Sequence, residues 1–308
     1  MSRSRVLTAL ILMVTFAALA AGPVAAAPKG RVVVALGSDT STMDPHMHTE
    51  RMGIIINQHI FDTLLARDTK TWQPVPHLAE SIKSVNPTTW ELKLRKGVKF
   101  HNGEPFNAES VKFSFDRVLN PEQKSPIRGN FTWIKSVDVV DEHTVRIVTE
   151  KPYPAVHEIL TFGNFGMVPP KYIKEKGDAH FARNPVGTGP FKFVEWRKGE
   201  RTTIEANEQY WKGAPAIKTI VFRVIPETAT QIAELLSGGV DILRAVPPDQ
   251  IPAIERSGAA RMTATKILRV VFLQLDGDGR AGKTPLTDVK VRRAINHAVN
   301  VDEIMQKV

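Results

Sequence analysis

WELKLRKGVKFHNGEPFNAESVKFSFDRVL, residues 90–119, changes its hydrophobic period once along its length. Trp90, Leu92 and Leu94 alternate with polar residues, the pattern of a strand with one buried face. From Asn107 onward, Val111, Phe115 and Val118 recur at the spacing of one helix face, and Asn107 is placed to cap the first turn. Between them, Gly103 and Pro105 build a turn that delivers Asn107 to that position. A strand therefore runs through a short turn into a helix.

The same mixture extends in both directions. Arg31–Leu36 (RVVVAL) is a β-branched strand broken by the polar GSDTST at 37–42. Residues 54–65 (IIINQHIFDTLL) place Ile56, Ile60, Phe61, Leu64 and Leu65 on one helical face. Ser136–Val140 and Thr144–Thr149 flank a tight DEH connection and predict a hairpin. Strands follow at Phe191–Trp196 and Thr219–Ile225. A helix at Thr228–Leu236 is stopped by Gly238 and Gly239. A further strand is predicted at Arg269–Leu275 and a helix from about Asp288. Strands and helices alternate rather than segregate, which predicts an α/β or α+β fold.

The chain has 308 residues, 42% of them hydrophobic, five tryptophans and no cysteine. Disulfides, thiol catalysis and lipid attachment through an N-terminal cysteine are thereby excluded. The formal charge is +9, with lysines and arginines interleaved with acids, as on a solvated surface. No nucleic-acid partner is expected. Arg3 and Arg5, the apolar run Val6–Ala21 and the small residues of GPVAAAPKG read as a secretory signal over residues 1–27, cleaved after Ala26 or Ala27. A periplasmic location follows. The length predicts two structural units, with no internal repeat.

Motifs for chemistry are sparse. GDGRAGKT, 277–284, satisfies the phosphate-loop pattern and raises an NTPase reading in which Lys283 reaches phosphate. Against it, Pro285 directly follows Thr284, where the helix should already have begun, and Asp276 and Asp278 would repel phosphate. His157 and Glu158 open a zinc-protease pattern, but Thr161 holds the place of the second histidine. Asp276, Asp278 and Arg280 imitate a calcium loop and fail at the third ligand. His46, His48, His59 and His101 fit no tetrahedral spacing. No metal, cofactor or enzymatic activity is expected.

Taken in order, TMDPH (42–46), NQHIFDTLL (57–65), residues 76–119, PVGTGPFKFVEW (185–196), NEQYWKGAPAIKTIVFRVIP (207–226), LLSGGVDIL (235–243) and DVKVRRAINHAVNVDEI (288–304) are read against known families. The chain resembles the family 5 extracytoplasmic solute-binding proteins of ABC importers, which bind oligopeptides, dipeptides and nickel chelates. The resemblance implies an α/β, periplasmic-binding-protein-like two-lobed fold with an extra inserted domain, closing on its ligand like a hinged trap. Mapped here, residues 28–55 and 177–267 would form the first lobe and 56–176 the insertion. Residues 268–308 would be the hinge, crossing at Arg269–Gln274, and the start of a second lobe that is mostly missing, because family members are longer. The carboxylate that meets a peptide's α-ammonium lies in that missing part, so peptide selectivity is carried over to no residue here.

The resemblance further implies ligand contacts from Ser38, Asp39 and Thr40 after the first strand, from Phe162, Gly163, Asn164 and Phe165, and from Gln274. Turn chemistry for the first group and buried packing for the aromatics stay open as alternatives, and Tyr210 and Trp211 are expected to pack beside a turn. The expected ligand is a peptide or a similar small polar solute, passed by a monomeric protein to an ABC permease. The alternative of another class is a truncated fragment that binds nothing.

Overall fold

The computed structural model describes residues 29–264 and 272–307; the expected signal sequence at residues 1–27 and Arg269–Val271 of the expected hinge crossing lie outside the described residues. Two compact units meet in sequence between Met262 and Thr263. In chain order the strands of the first are β1 (Lys29–Leu36), β2 (Leu65–Arg67), β3 (Pro74–Pro76), β4 (Ala79–Asn86), β5 (Thr89–Leu94), β6 (Ile134–Asp141), β7 (Thr144–Thr149), β8 (Phe191–Arg197), β9 (Arg201–Ala206), β10 (Ile217–Val224) and β11 (Ile242–Leu243). Its principal helices are α1 (Arg51–Ile60), α2 (Ala108–Leu119), α3 (Pro170–Lys176), α4 (Thr228–Leu236) and α5 (Ile251–Ser257).

Besides the two-stranded β2–β3 pair, two larger sheets carry the first unit. One has the order β11-β1-β10-β9-β8, with β1 parallel to both β10 and β11 and the rest antiparallel. The other is an antiparallel sheet of order β4-β5-β7-β6. The antiparallel sheet and α2 share a core in which Leu92 and Leu94 of β5 and Val145 and Ile147 of β7 meet Val111, Phe115 and Val118. Those are the two apolar stripes of the 90–119 segment. The turn joining them works as the sequence predicts: the Asn107 side chain accepts from Ser110 N at 3.2 Å, and Ser110 Oγ accepts from Asn107 N at 3.4 Å. A serine thus completes a reciprocal cap usually closed by glutamate or glutamine. A second core, beside the five-stranded sheet, joins Leu36, Ile56, Ile60, Phe191, Ile204 and Phe222.

Several elements differ from expectation. The helix over 54–65 instead spans Arg51–Ile60, and Phe61 is already extended. Its end has a tertiary cause: Ile60 O accepts from Gly189 N at 2.9 Å, whereas in a continuing helix it would accept from Leu64. A Cβ at position 189 would stand 2.6 Å from the Ile60 carbonyl carbon, so the GTG segment needs glycine for this close approach. Beyond Thr263, the expected strand at 269–275 is not formed over its described part. Phe272–Asp276 is irregular and joins no strand among the described residues, and a lone strand has no ladder to stabilise it. That second unit consists otherwise of α6 (Val289–Ala298) and α7 (Val301–Lys307).

Asp62 links three separate segments of the first unit. It is 3% exposed. Its carboxylate accepts from Thr188 Oγ1, Tyr210 OH and Trp211 Nε1, each at 3.0 Å. Tyr210 and Trp211, expected only to pack, are therefore also donors. Burial, reinforced by the Asp62 charge, pushes the Tyr210 phenol well above its ordinary pKa, so it remains a donor. Nearby, Arg117 on α2 is buried between Asp44, at 3.0 Å from its Nη1, and Asp178, at 2.7 Å from its Nη2. Asp62→Ala should cost about 3 kcal/mol or more, because three buried donors lose their acceptor together. Thermal unfolding checks this; a midpoint within about 2 °C of the parent would contradict it.

Candidate functional site

In an open α/β sheet the carboxyl ends of parallel strands form the natural ligand crevice, because backbone groups and loops converge there. Here β1, β10 and β11 run parallel, and a cavity of about 180 Å³ lies at their carboxyl ends. It is lined by Leu36 and Gly37 after β1, Met52 on α1, Pro226 after β10, Gln231 on α4, and Arg244 and Ala245 after β11. β11 is pinned to β1 by Asp241, whose N–H donates to Val33 O at 2.8 Å while its carboxylate accepts from Val33 N at 2.7 Å.

Arg244 is exposed and makes no hydrogen bond or ion pair among the described residues. Ala245 holds φ +61°, a left-handed conformation that costs a residue with a Cβ about 1–2 kcal/mol. An unengaged guanidinium and a strained neighbour thus share one crevice. Sequence reading passed over both. The strand before them is two residues long, and a single arginine carries no periodicity. Its position directly after GGVDIL was the available signal.

The residues expected to touch ligand fall into distinct environments. Ser38 is exposed at the end of β1. Asp39 is a local anchor: its carboxylate accepts from Trp196 Nε1 at 3.1 Å, Gly199 N at 2.7 Å and Thr40 N at 2.8 Å. Thr40 is buried and donates its hydroxyl to Thr42 O at 2.7 Å.

In the second group, Phe162 is 37% exposed, whereas Phe165 is 1% exposed and packs against Phe131, Phe115 and His46 at centroid distances of 4.3, 4.6 and 5.2 Å. Gly163 lies against Gln58 of α1, where a Cβ would collide with the amide. Asn164 is buried and donates to His48 O at 3.3 Å. Both groups therefore meet around α1: Thr40 Oγ1 and the His48 ring both abut Gly53, and Asn57 Nδ2 lies 2.8 Å from His48 Nε2. Gln274 belongs to the second unit, where its side chain is exposed.

The 277–284 loop does not have phosphate-loop geometry. Its amides point at its own acid: Asp276 accepts from Ala281 N at 2.8 Å and Arg280 N at 3.0 Å, bonds that hold its carboxyl below the usual range. Thr284 is extended, its hydroxyl accepting from Leu286 N at 3.3 Å, and α6 begins only after Asp288 has capped it through Lys290 N at 2.8 Å. A nucleotide phosphate would need amides that a carboxylate already occupies, so the NTPase reading is corrected to a polar connection.

The histidines are hydrogen-bonding residues. His46 Nε2 donates to Gly166 O at 2.9 Å, leaving Nδ1 to accept from Arg117 at 3.2 Å. His101 Nε2 donates to Gly189 O at 2.9 Å.

Residues 73–308 match the family model for the middle region of bacterial extracellular solute-binding proteins, family 5. The chain belongs to that family. It is 29% identical over 292 residues to the glutathione-binding protein GsiB of Pectobacterium atrosepticum, covering 94% of this chain and 55% of that protein. Among solved structures, it is similar to the ABC transporter-associated periplasmic binding protein DppA of Helicobacter pylori in complex with the peptide STSA. There the TM-score is 0.77 at 27% identity, covering 91% of this chain and 58% of DppA. Against NikZ of Campylobacter jejuni in complex with Ni(L-His) the TM-score is 0.74 at 29% identity, covering 91% of this chain and 55% of NikZ. The chain thus spans about half the length of these relatives.

The family 5 fold is α/β and periplasmic-binding-protein-like, and proteins of this family are transport components. Among the described residues, no helix is long and apolar enough to cross a membrane.

Burial of two histidines makes the family 5 chain sensitive to acid. Desolvation, with the Arg117 charge, lowers His46 from 6.5 to about 4, and desolvation lowers His101 likewise to about 4. Between those values the unfolded chain takes up protons that the folded chain refuses. Stability is therefore complete above 6.5 and falls as pH drops towards 4, by roughly 3 kcal/mol per histidine. Urea unfolding at several pH values should show this slope, and His101→Gln should make it shallower.

Proposed function

We propose that this chain is a periplasmic solute-binding component of an ABC importer, taking a peptide or similar small polar solute at the carboxyl ends of β1, β10 and β11 and delivering it to a membrane permease. The observation that carries the reading is Arg244, an exposed guanidinium without a partner among the described residues, beside strained Ala245 in that crevice. A guanidinium there suits a solute carboxylate, which it can bind in bidentate fashion. Glutathione, a peptide and an L-histidine chelate, the ligands named for the relatives, all have such a group.

In this reading the protein is not an enzyme and needs no cofactor; nucleotide is hydrolysed by separate ATPase subunits. Residues 1–27 direct export. Residues 28–55 and 177–267 build one lobe, 56–176 an inserted domain, and 268–308 the hinge and the beginning of the other lobe. Ser38 and Phe162, both exposed, contact solute directly. Asp39, Thr40, Gly163, Asn164 and Phe165 shape the loops that present them, and Gln274 contributes from the hinge side. The protein acts as a monomer.

The test is thermal unfolding of the signal-free protein with and without a di- to hexapeptide library. A ligand at about 100 times its Kd that binds only the folded state adds about 2.7 kcal/mol. An upward shift in the parent, lost in Arg244→Ala with an unchanged ligand-free midpoint, is the expected result. A cooperative transition unmoved by peptide would contradict solute capture by this chain and favour a non-binding part of a receptor, a reading consistent with its span of about half its relatives.

A further inference from the structure

A second cavity, of about 380 Å³, opens where the turn at 99–103 meets the start of β8 and the residues after β9. In the sheet order β11-β1-β10-β9-β8 it borders the strand at the far edge from β11, so it is separate from the Arg244 crevice. Lys99 and Lys192 are its charged lining, and among the described residues no carboxylate lines it.

Much of the remaining polar lining is already engaged. Thr188 Oγ1 and Trp211 Nε1 donate to Asp62. Asn207 donates to Gly189 O at 3.1 Å and accepts from Gln209 N at 3.3 Å. His101 donates from Nε2 to Gly189 O and accepts at Nδ1 from Gly187 N at 3.4 Å, and its burial keeps it neutral at ordinary pH. The lysine ammonium groups, the Asn102 amide nitrogen and the Gln209 amide nitrogen have no hydrogen-bond or ion-pair partner among the described residues. All four are donors.

The surrounding charge has the same sign. Arg95, which also pairs with Glu80 at 3.6 Å, and Lys212 lie 4.7 and 5.5 Å from the centre of the Trp211 ring. Neighbouring acids are committed or do not pair with the lysines. Asp62 accepts from three donors, and Glu104 accepts from Lys171 N and Tyr172 N at the start of α3. Glu205 stands opposite Lys192 in the β8–β9 register, yet no ion pair joins them. Lys192 is half-exposed, and its ammonium has no counter-charge among the described residues.

We propose that this cavity is a second binding site, for a small oxyanion of the phosphate class held by Lys99 and Lys192 with amide donors from Asn102 and Gln209. An anion with several oxygens uses convergent donors that a single carboxylate would leave unmet. The chain keeps a net positive charge even without Arg3 and Arg5, which raises the local concentration of such anions.

Titration calorimetry of inorganic phosphate into the signal-free protein at low ionic strength tests the site. Binding should be measurable in the parent and at least about tenfold weaker in Lys99→Gln/Lys192→Gln, because both charge-assisted contacts are lost. A melting midpoint for that variant close to the parent's shows that the fold is kept, and Lys99→Gln alone, on an exposed turn, serves if the pair fails to fold. Sedimentation with phosphatidylglycerol vesicles distinguishes the source of the phosphate group. Vesicle binding that depends on the two lysines assigns the site to a lipid headgroup, and lysine-dependent binding of free phosphate alone assigns it to a soluble anion. Absence of both, or phosphate binding equal in parent and variant, overturns the proposal.

Discussion

Asp62 is the constraint on which the rest of the first unit depends. A carboxylate so enclosed is tolerable only when its oxygens are saturated with donors, and these come from positions 188, 210 and 211, far along the chain. The requirement fixes where α1 must end, since the chain has to leave the helix two residues earlier to turn Asp62 towards its partners. It also explains why GTG lies directly on the last helical carbonyls, with glycine where no Cβ fits. Arg117 makes a comparable tie, holding the segment after β1 to α2 and to the helical turn at Asp178. These polar centres add geometry where apolar packing alone would permit sliding.

The sequence was most legible where one residue pattern meets one structural demand. Alternation at 90–94 and the helical spacing at 107–118 each have a single buried face, and both elements formed as read. The 54–65 pattern runs past the real helix because Phe61, Leu64 and Leu65 are apolar at helical spacing yet are buried through a different backbone path. β4 carries little signal in sequence because only Ala79 among its residues is buried, and β9 little because Thr202, one of its two buried residues, does not register as apolar. At 269–275 the residues favour a strand, but a strand also needs a partner, which residue composition cannot supply.

The crevice was legible only in part. Following β1 to its carboxyl end reaches Ser38, because the end of a strand is predictable. Which neighbouring groups are engaged elsewhere is not: Asp39 looks as available as Ser38 until the indole of Trp196 and the amide of Gly199 are seen to occupy it. Arg244 has the reverse character, an unexceptional residue in sequence that becomes conspicuous through the partners it lacks among the described residues.

The three N–H groups gathered by Asp39 give the β1 loop a property that concerns energy rather than shape. They tie the loop to the turn between β8 and β9, so its conformational entropy is already lost when the chain folds. In the proposed reading, a solute arriving there would meet a surface that need not be ordered again, and a larger share of its contact energy would remain as affinity. On that proposal, the exposed side chain at position 38 would be free to vary which solute is held while the anchor beside it kept the place where it is held.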